Sequence, residues 1–292
     1  MEHVEKKMSE GEFPERWALV AGDGALPEEI ARRLATEKGR RGVIYVLGGR
    51  REALEPWGEV TISLERVCLA STVADMLRRG VRGVVLAGSV PKNTMYRASQ
   101  LDDTMRDLLR RLPENNDHAL LGAVVALLES SGLSVLRYGD VLDDLLAPEG
   151  ILGCREPSSE EGADVAYGVT VASKLVPLSF GQTVVVRDRA VVAVEAMEGT
   201  DETLERAGRW AAGGAVVKLM RRDQDDRYDL PVVGPRTLRI MGRWGLRCLA
   251  VEKGRTILLD RKNFLALADA EGIAVVGIDP AREREERMRD GA

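Results

Sequence analysis

Short apolar runs alternate with amphipathic stretches through the first half of the chain. An apolar run at 17–21 leads into Gly22-Asp23-Gly24 and Pro27, and beyond it Ile30, Leu34 and Ala35 share one helical face. Proline suits a first helical turn, where its missing N–H would have no partner anyway. Residues 43–47 form a second buried strand closed by Gly48-Gly49, and residues 64–77 carry helical periodicity. Residues 83–87 give a third strand, residues 100–112 and 117–130 two helices, and residues 133–136 a further strand. Strands and helices alternating at this spacing predict a parallel sheet with covering helices. The expected fold class is α/β, with a Rossmann-like N-terminal domain over residues 16–146.

Residues 147–162 gather Pro, Gly, Ser and Glu and read as a linker. Beyond them the pattern changes. Two β-branched runs, 182–187 and 190–196, flank Asp188-Arg189 and predict a hairpin. A helix at 202–212, a strand at 215–219 and an aperiodic polar stretch at 220–234 come next. A helix at 235–244, strands near 248–251 and 256–259, a helix at 262–271 and a strand at 273–278 complete a mixed α/β domain over residues 163–279. Residues 1–15 read as a mobile arm and residues 280–292 as a charged tail.

Composition narrows the chemistry. The 292 residues are 45% hydrophobic and 30% charged, which suits folded domains rather than disorder. A net charge of −5 argues against nucleic acid as the main partner. No apolar run approaches a membrane span, and the charged first residues lack a secretory core, so a cytoplasmic location is expected. The three cysteines, Cys68, Cys154 and Cys248, show no pairing or metal spacing, and His3 and His118 are the only histidines. That leaves oxygen ligands, cationic side chains and a hard metal ion as the natural carriers of any catalysis.

Several turns invite a ligand, each with a plainer alternative. Gly22 and Gly24 sit where a strand meets a helix and can present backbone N–H groups to an anion; they can equally make a tight turn. The dinucleotide fingerprint is incomplete, because Pro27 occupies the third glycine position. Gly88, at another strand end, allows close backbone approach, with Lys92 four residues on. Asn116 or Asp117 can cap the helix that begins there, or Asp117 and His118 can serve a site. That helix is apolar nearly all round from 119 to 128, so burial is expected, with a wall for lipid tails as the alternative. In EAMEGTD (195–201), Thr200 suits an N-cap, Asp201 and Glu202 suit a first turn, and Glu198 is a candidate metal or substrate contact.

The richest stretch runs from Lys218 to Thr237. Asp223, Asp225, Asp226 and Asp229 crowd together, with Arg221 and Arg222 just before them and Arg227 among them, and Pro231 and Gly234-Pro235 stiffen the chain beyond them. Such carboxylates repel unless cations intervene. A rigid loop of this kind suits Mg²⁺ shared with phosphate, because Mg²⁺ takes one or two carboxylates and arginine forks onto the remaining charge. A solvated exposed loop is the plainer reading.

The motifs VAGDGALP (20–27), LAGSV (86–90), NDHALL (116–121), LLAPEGIL (145–152), ADVAYG (163–168), GQTVVV (181–186), VAVEAMEGTD (192–201), VVKL (216–219), QDDRYDLPVVGPRT (224–237) and VEKGRTILLD (251–260) together resemble the LpxI-type UDP-2,3-diacylglucosamine pyrophosphatases of lipid A biosynthesis. The resemblance spans roughly residues 17–279. It implies a two-domain cytoplasmic enzyme, peripherally associated with the inner membrane through its lipid substrate. It implies Mg²⁺-dependent hydrolysis of an acylated UDP-sugar to UMP and 2,3-diacylglucosamine 1-phosphate. The acidic motif of the family maps onto Asp225 and Asp229, with Gln224, Arg227 and Pro231 in matching positions. Its glutamate–glycine–threonine–aspartate element maps onto Glu198, Gly199, Thr200 and Asp201. Ser89 stands where lysine is common, His118 where a second aspartate is common, and Tyr228 where phenylalanine is usual.

Residues and resemblance agree on a reaction that needs positioning and charge neutralisation more than a covalent nucleophile. Asp225 and Asp229 are assigned to magnesium ligation and water orientation, and Arg227 and Lys218 to neutralising the diphosphate. Glu198 and Asp201 are reserve ligands. Gly22, Gly24, Gly88, Asp117, Gly199, Thr200 and Gln224 are substrate-binding candidates. Self-association stays open. The alternatives are a noncatalytic nucleotide-sugar or lipid-binding protein and a Rossmann-type oxidoreductase.

Overall fold

A computed structural model describes residues 14–36, 39, 41–64, 66–89, 101–112, 117–178, 181–220, 224, 225 and 227–282. The chain divides into two compact units between Val141 and Leu142.

The first unit is built on five parallel strands: β1 (Trp17–Ala21), β2 (Val43–Val46), β3 (Val60–Ser63), β4 (Gly83–Ala87) and β5 (Ser134–Val135). They lie in the order β3-β2-β1-β4-β5, that of the first five strands of doubly wound dinucleotide-binding sheets. β2 and β4 are buried along their whole length and β1 at every residue but Val20, as strands covered on both faces must be. Helices α1 (Leu26–Thr36), α2 (Arg51–Leu54), α3 (Leu69–Arg78), α4 (Asp103–Arg111) and α5 (Asp117–Ser130) complete the unit. On α1, Ile30 and Leu34 are fully buried as the spacing predicts, but Ala31 joins them, while Ala35, expected on the same face, is only partly buried. β3 and the single-turn α2 escape the sequence reading because β3 is a half-buried edge strand with little apolar signal. The expected burial of α5 is corrected. Of residues 119–128 only Val125 and Leu128 are buried, and Leu120 and Val124 pack partly against Val67, Leu101 and Met105.

The second unit holds a six-stranded mixed sheet in the order β6-β13-β11-β9-β7-β8. Its strands are β6 (Gly150–Ile151), β7 (Thr183–Arg187), β8 (Ala190–Val194), β9 (Ala215–Lys218), β11 (Cys248–Glu252) and β13 (Ala274–Ile278), with β10 (Val232–Val233) and β12 (Ile257–Leu258) forming a separate parallel pair. β9, β11 and β13 are mutually parallel, whereas β7, β8 and β6 run antiparallel to their neighbours. Helices α6 (Ser159–Leu175), α7 (Thr200–Ala207), α8 (Pro235–Trp244) and α9 (Arg261–Glu271) cover it. Side chains alternate across the sheet. Val185, Val216, Leu249 and Val275 join the core with Leu204, Leu238, Met241 and Phe264. Val184, Val217, Ala250 and Val276 join a second core with Val165, Val169 and Ala172 of α6. The β7–β8 hairpin turns at Asp188 and Arg189, both at positive φ (51° and 58°), where the Asp164 carboxylate accepts from both backbone N–H groups.

The linker at 147–162 is corrected. Ala147 belongs to the core that holds Leu204 and Phe264, Leu146 bridges to Ile257, and Gly150–Ile151 add an antiparallel edge strand to β13. From Ser159 the segment is helical. Ser158 accepts from the Glu161 N–H while the Glu161 carboxylate accepts from the Ser158 N–H, a reciprocal cap fixed further by the Arg155 guanidinium on Glu161 at 2.7–2.8 Å. Glycines at 162 and 168 mask the helical signal there. Gly168 lets α6 lie close to the sheet, since a Cβ at that position would fall 2.6 Å from Val217 Cγ2.

Candidate active site

The carboxyl end of β9 carries a buried cation. Because Val216 and Val217 face opposite cores, Lys218 extends on the same side as Val216, toward α7. It is only 6% exposed, and its Nζ donates to Thr200 Oγ1 at 2.6 Å, its one hydrogen bond among the described residues. Thr200 Oγ1 in turn donates to Glu195 Oε2 at 3.2 Å. On its other side lies Thr183 Oγ1 at 3.2 Å, from the residue that pairs with Lys218 across β7 and β9. The Gln182 N–H donates to the same Glu195 oxygen at 3.4 Å. Burial pushes the lysine pKa below its ordinary value, against the opposing pull of Glu195, Asp201 and Asp229.

Thr200 is the first residue of α7, and Gly199 precedes it at φ 85° with no side-chain cap. Among the described residues nothing lies within 4 Å of where a Gly199 Cβ would stand, so the chain is open on that side just before α7. The two reserve acids are otherwise engaged. Glu198 accepts from Arg206 Nη2 at 2.6 Å and Thr203 Oγ1 at 3.2 Å, and the Arg206 guanidinium holds its carboxyl below the usual range. Asp201 takes Arg236 Nε at 2.8 Å and Thr237 Oγ1 at 3.3 Å.

The acidic loop is tethered along its length. The Met220 N–H donates to Glu252 Oε2 at 2.8 Å as the chain leaves β9. Gln224, buried, donates to the Asp229 carbonyl at 2.5 Å and accepts from Gln182 Nε2 at 3.3 Å. The Asp229 N–H meets the Asp225 carbonyl at 3.2 Å, closing a turn, and β10 then pairs with β12. Within the turn Arg227 grips Asp225: Nε lies 2.9 and 3.0 Å from its two oxygens, Nη2 2.6 Å from Oδ2, and the Arg227 N–H donates at 3.0 Å. Burial alone would raise the Asp225 pKa, but the Arg227 hydrogen bonds outweigh it and hold the carboxyl below its ordinary value. The Arg227 guanidinium also lies 5.7 Å from the Tyr228 ring centre, and burial with the Asp225 charge pushes the Tyr228 phenol up to about 12. Arg227, expected as a diphosphate clamp, is thus engaged with Asp225. Arg221, Arg222, Asp223 and Asp226 lie outside the described residues, and among the described residues no three acids, histidines or cysteines converge as a metal cluster.

In the first unit, Gly22 and Gly88 are explained by packing. Asp23 and Ser89 form an antiparallel bridge through N–H···O bonds of 2.7 and 2.9 Å, and a Cβ at Gly22 would fall 2.4 Å from the Ser89 oxygen. Gly24, at φ 111°, faces open space. Asp117 opens α5, and its side chain lies outside the described set, as do Lys92 and Asn116. The structure therefore brings together Lys218, Thr200, Gln224 and Asp229 and adds three residues the sequence reading leaves aside: Glu195, Thr183 and Gln182. Glu195 has a readable signal, an acid closing a β-branched run, whereas Thr183 is hidden inside such a run.

Residues 16–145 match the model of the LpxI N-terminal domain, and residues 148–276 that of the LpxI C-terminal domain. A curated relative, UDP-2,3-diacylglucosamine pyrophosphatase LpxI of Caulobacter vibrioides, is 29% identical over 274 residues, covering 90% of this chain and 97% of its own. A solved structure of CobK precorrin-6A reductase aligns with 90% of this chain and 87% of its own, at 14% identity and a TM-score of 0.29, too low to carry an argument.

Proposed function

The chain belongs to the LpxI family, carrying both its domains in order, and we propose that it hydrolyses the diphosphate bond of UDP-2,3-diacylglucosamine to UMP and 2,3-diacylglucosamine 1-phosphate. The name of the Caulobacter relative, matched along nearly its whole length, supports the substrate. The single observation that carries the reading is the Lys218 ammonium, buried beside an uncapped helix N-terminus with two N–H donors unspent among the described residues. A buried cation with free donors seeks oxygen acceptors, and a helix N-terminus favours an anion. Lys218 and the first N–H groups of α7 then bind one phosphate, the Thr200 hydroxyl orients the lysine, and Arg227, once released from Asp225, supplies a second cation at the loop. Placing charge where it develops is what diphosphate hydrolysis requires.

Magnesium needs only one or two carboxylates, and Asp225 and Asp229 belong to one turn, although Asp225 would have to exchange its Arg227 contacts for the ion. Those two residues would hold it. When bound, the ion supplies neutralising charge to the phosphate oxygens. We also read the first unit as Rossmann-like, on its strand order, and the protein as meeting the inner membrane surface through its acylated substrate. Among the described residues no helix is long and apolar enough to cross a membrane.

UMP release from the acylated UDP-sugar, with and without Mg²⁺, tests the reading. Asp225→Ala and Asp229→Ala are each expected to lower the rate by about 100-fold or more. Near-normal rates in both remove these residues from the site, and a wild-type protein that binds the substrate without turnover removes the hydrolase.

A further inference from the structure

The proposed reaction depends on where the Lys218 ammonium points, and a residue outside the acidic loop decides that. We propose that Glu195 is a positioning residue for the diphosphate-contacting lysine, acting through the Thr200 hydroxyl. This rests on the hydrolase reading above and extends it.

The argument is one of proton bookkeeping. A carboxylate only accepts, an ammonium only donates, and a threonine hydroxyl owns a single proton. With Glu195 Oε2 at 3.2 Å and Lys218 Nζ at 2.6 Å, the Thr200 proton goes to Glu195 and an oxygen lone pair faces the lysine. Thr183, 3.2 Å away, then donates into Thr200 rather than competing for its proton. One N–H of Lys218 is fixed in this way, and the directions of the two unspent donors are set with it. Without an acceptor at position 195 the Thr200 proton has no fixed partner, the hydroxyl can rotate, and the direction of the lone pair that anchors the lysine is no longer set.

The surroundings hold Glu195 in place for this. The Gln182 N–H reaches the same oxygen at 3.4 Å. Gly181 carries no side chain where a Cβ would stand 2.0 Å from the Glu195 carbonyl oxygen, so the two segments can touch. Three carboxylates act on Lys218: Glu195, Asp201 and Asp229. Asp201 is committed to Arg236 and Thr237, and Glu195 is joined to the ammonium through the Thr200 hydroxyl.

A double-mutant cycle on the full chain tests this, read as kcat and KM for UMP release with Mg²⁺ present. Glu195→Met, similar in length but without an oxygen acceptor, is expected to lower kcat about 30-fold with KM within about threefold of wild type, as is Thr200→Val. The double variant is expected to lie within about twofold of Thr200→Val alone, because Glu195 has nothing left to act through. A purely structural contribution from Glu195 would not disappear in this way. Glu195→Met at wild-type rate, or losses that multiply, overturns the proposal. Should Glu195→Met fold poorly, Thr200→Ser decides: keeping the hydroxyl, it is expected within about threefold of wild type, and a loss as deep as that of Thr200→Val overturns the proposal. If the wild type itself releases no UMP, the hydrolase reading falls and takes this one with it; an active wild type with multiplying losses sinks only the role of Glu195.

Discussion

Lys218 illustrates why a buried charge is seldom kept for stability. Withdrawing an ammonium from water costs several kcal/mol, and one hydrogen bond to Thr200 with three nearby carboxylates offsets that only in part, which is why its pKa falls. Methionine fills a similar volume without the charge. Lys218→Met is therefore expected to melt at or above the wild-type temperature while losing about 100-fold or more in UMP release. Thermal denaturation beside the activity assay checks both halves, and a variant that stays active denies the lysine its place at the substrate. Asp225 shows the opposite economy: its charge is matched at once by Arg227, so the pair sits in the loop at little electrostatic cost.

Secondary-structure elements are legible where one face is apolar and hidden where it is not. The strands at 17–21 and 83–87 and the helix at 235–244 stand within a residue of their expected bounds, because burial on both faces or one stripe leaves a plain pattern. β3 is hidden because an edge strand is half exposed, and α6 because glycine and β-branched residues conceal a helix whose Ser158–Glu161 cap is nonetheless present to be read. The acidic loop is legible in composition, but not the engagement of Arg227 with Asp225, nor Thr183 and Glu195, which meet Lys218 only after β7, β8 and β9 pair. Polar links between elements can be tested through pH. Tyr45 of β2 donates to Asp75 of α3 at 2.8 Å, and Arg79 holds the same carboxylate at 2.7 Å. Burial raises the Asp75 pKa, the hydrogen bonds lower it further, and the net value lies below that of the unfolded chain. A depressed carboxylate contributes stability above the unfolded pKa of about 4 and loses it as pH falls through the folded value. Asp75→Asn, which keeps an acceptor for Tyr45, is expected to cost about 1 kcal/mol at pH 7 and progressively less below about pH 4. Urea titrations across that range measure the difference, and a constant gap would refute the assignment.

At the scale of the whole molecule, each unit carries the means of its own stability. The first encloses Trp17, Leu19, Ile44, Tyr45 and Met76 within one parallel sheet and its helices. The second packs two cores on opposite faces of the mixed sheet, with Leu249 fully buried in one and Ala250 in the other. Domains with separate cores unfold as separate cooperative units, since two-state behaviour belongs to the domain rather than the chain. Calorimetry of the full chain is therefore expected to resolve two transitions. Leu249→Ala removes a side chain that is 0% exposed and should destabilise the second unit by about 3 kcal/mol. Only one transition should move, by several degrees, and the other should stay within about one degree of its wild-type position. A single transition that shifts as a whole would mean that the two cores melt together, and the substitution would then have to be felt in the first sheet as strongly as in the second.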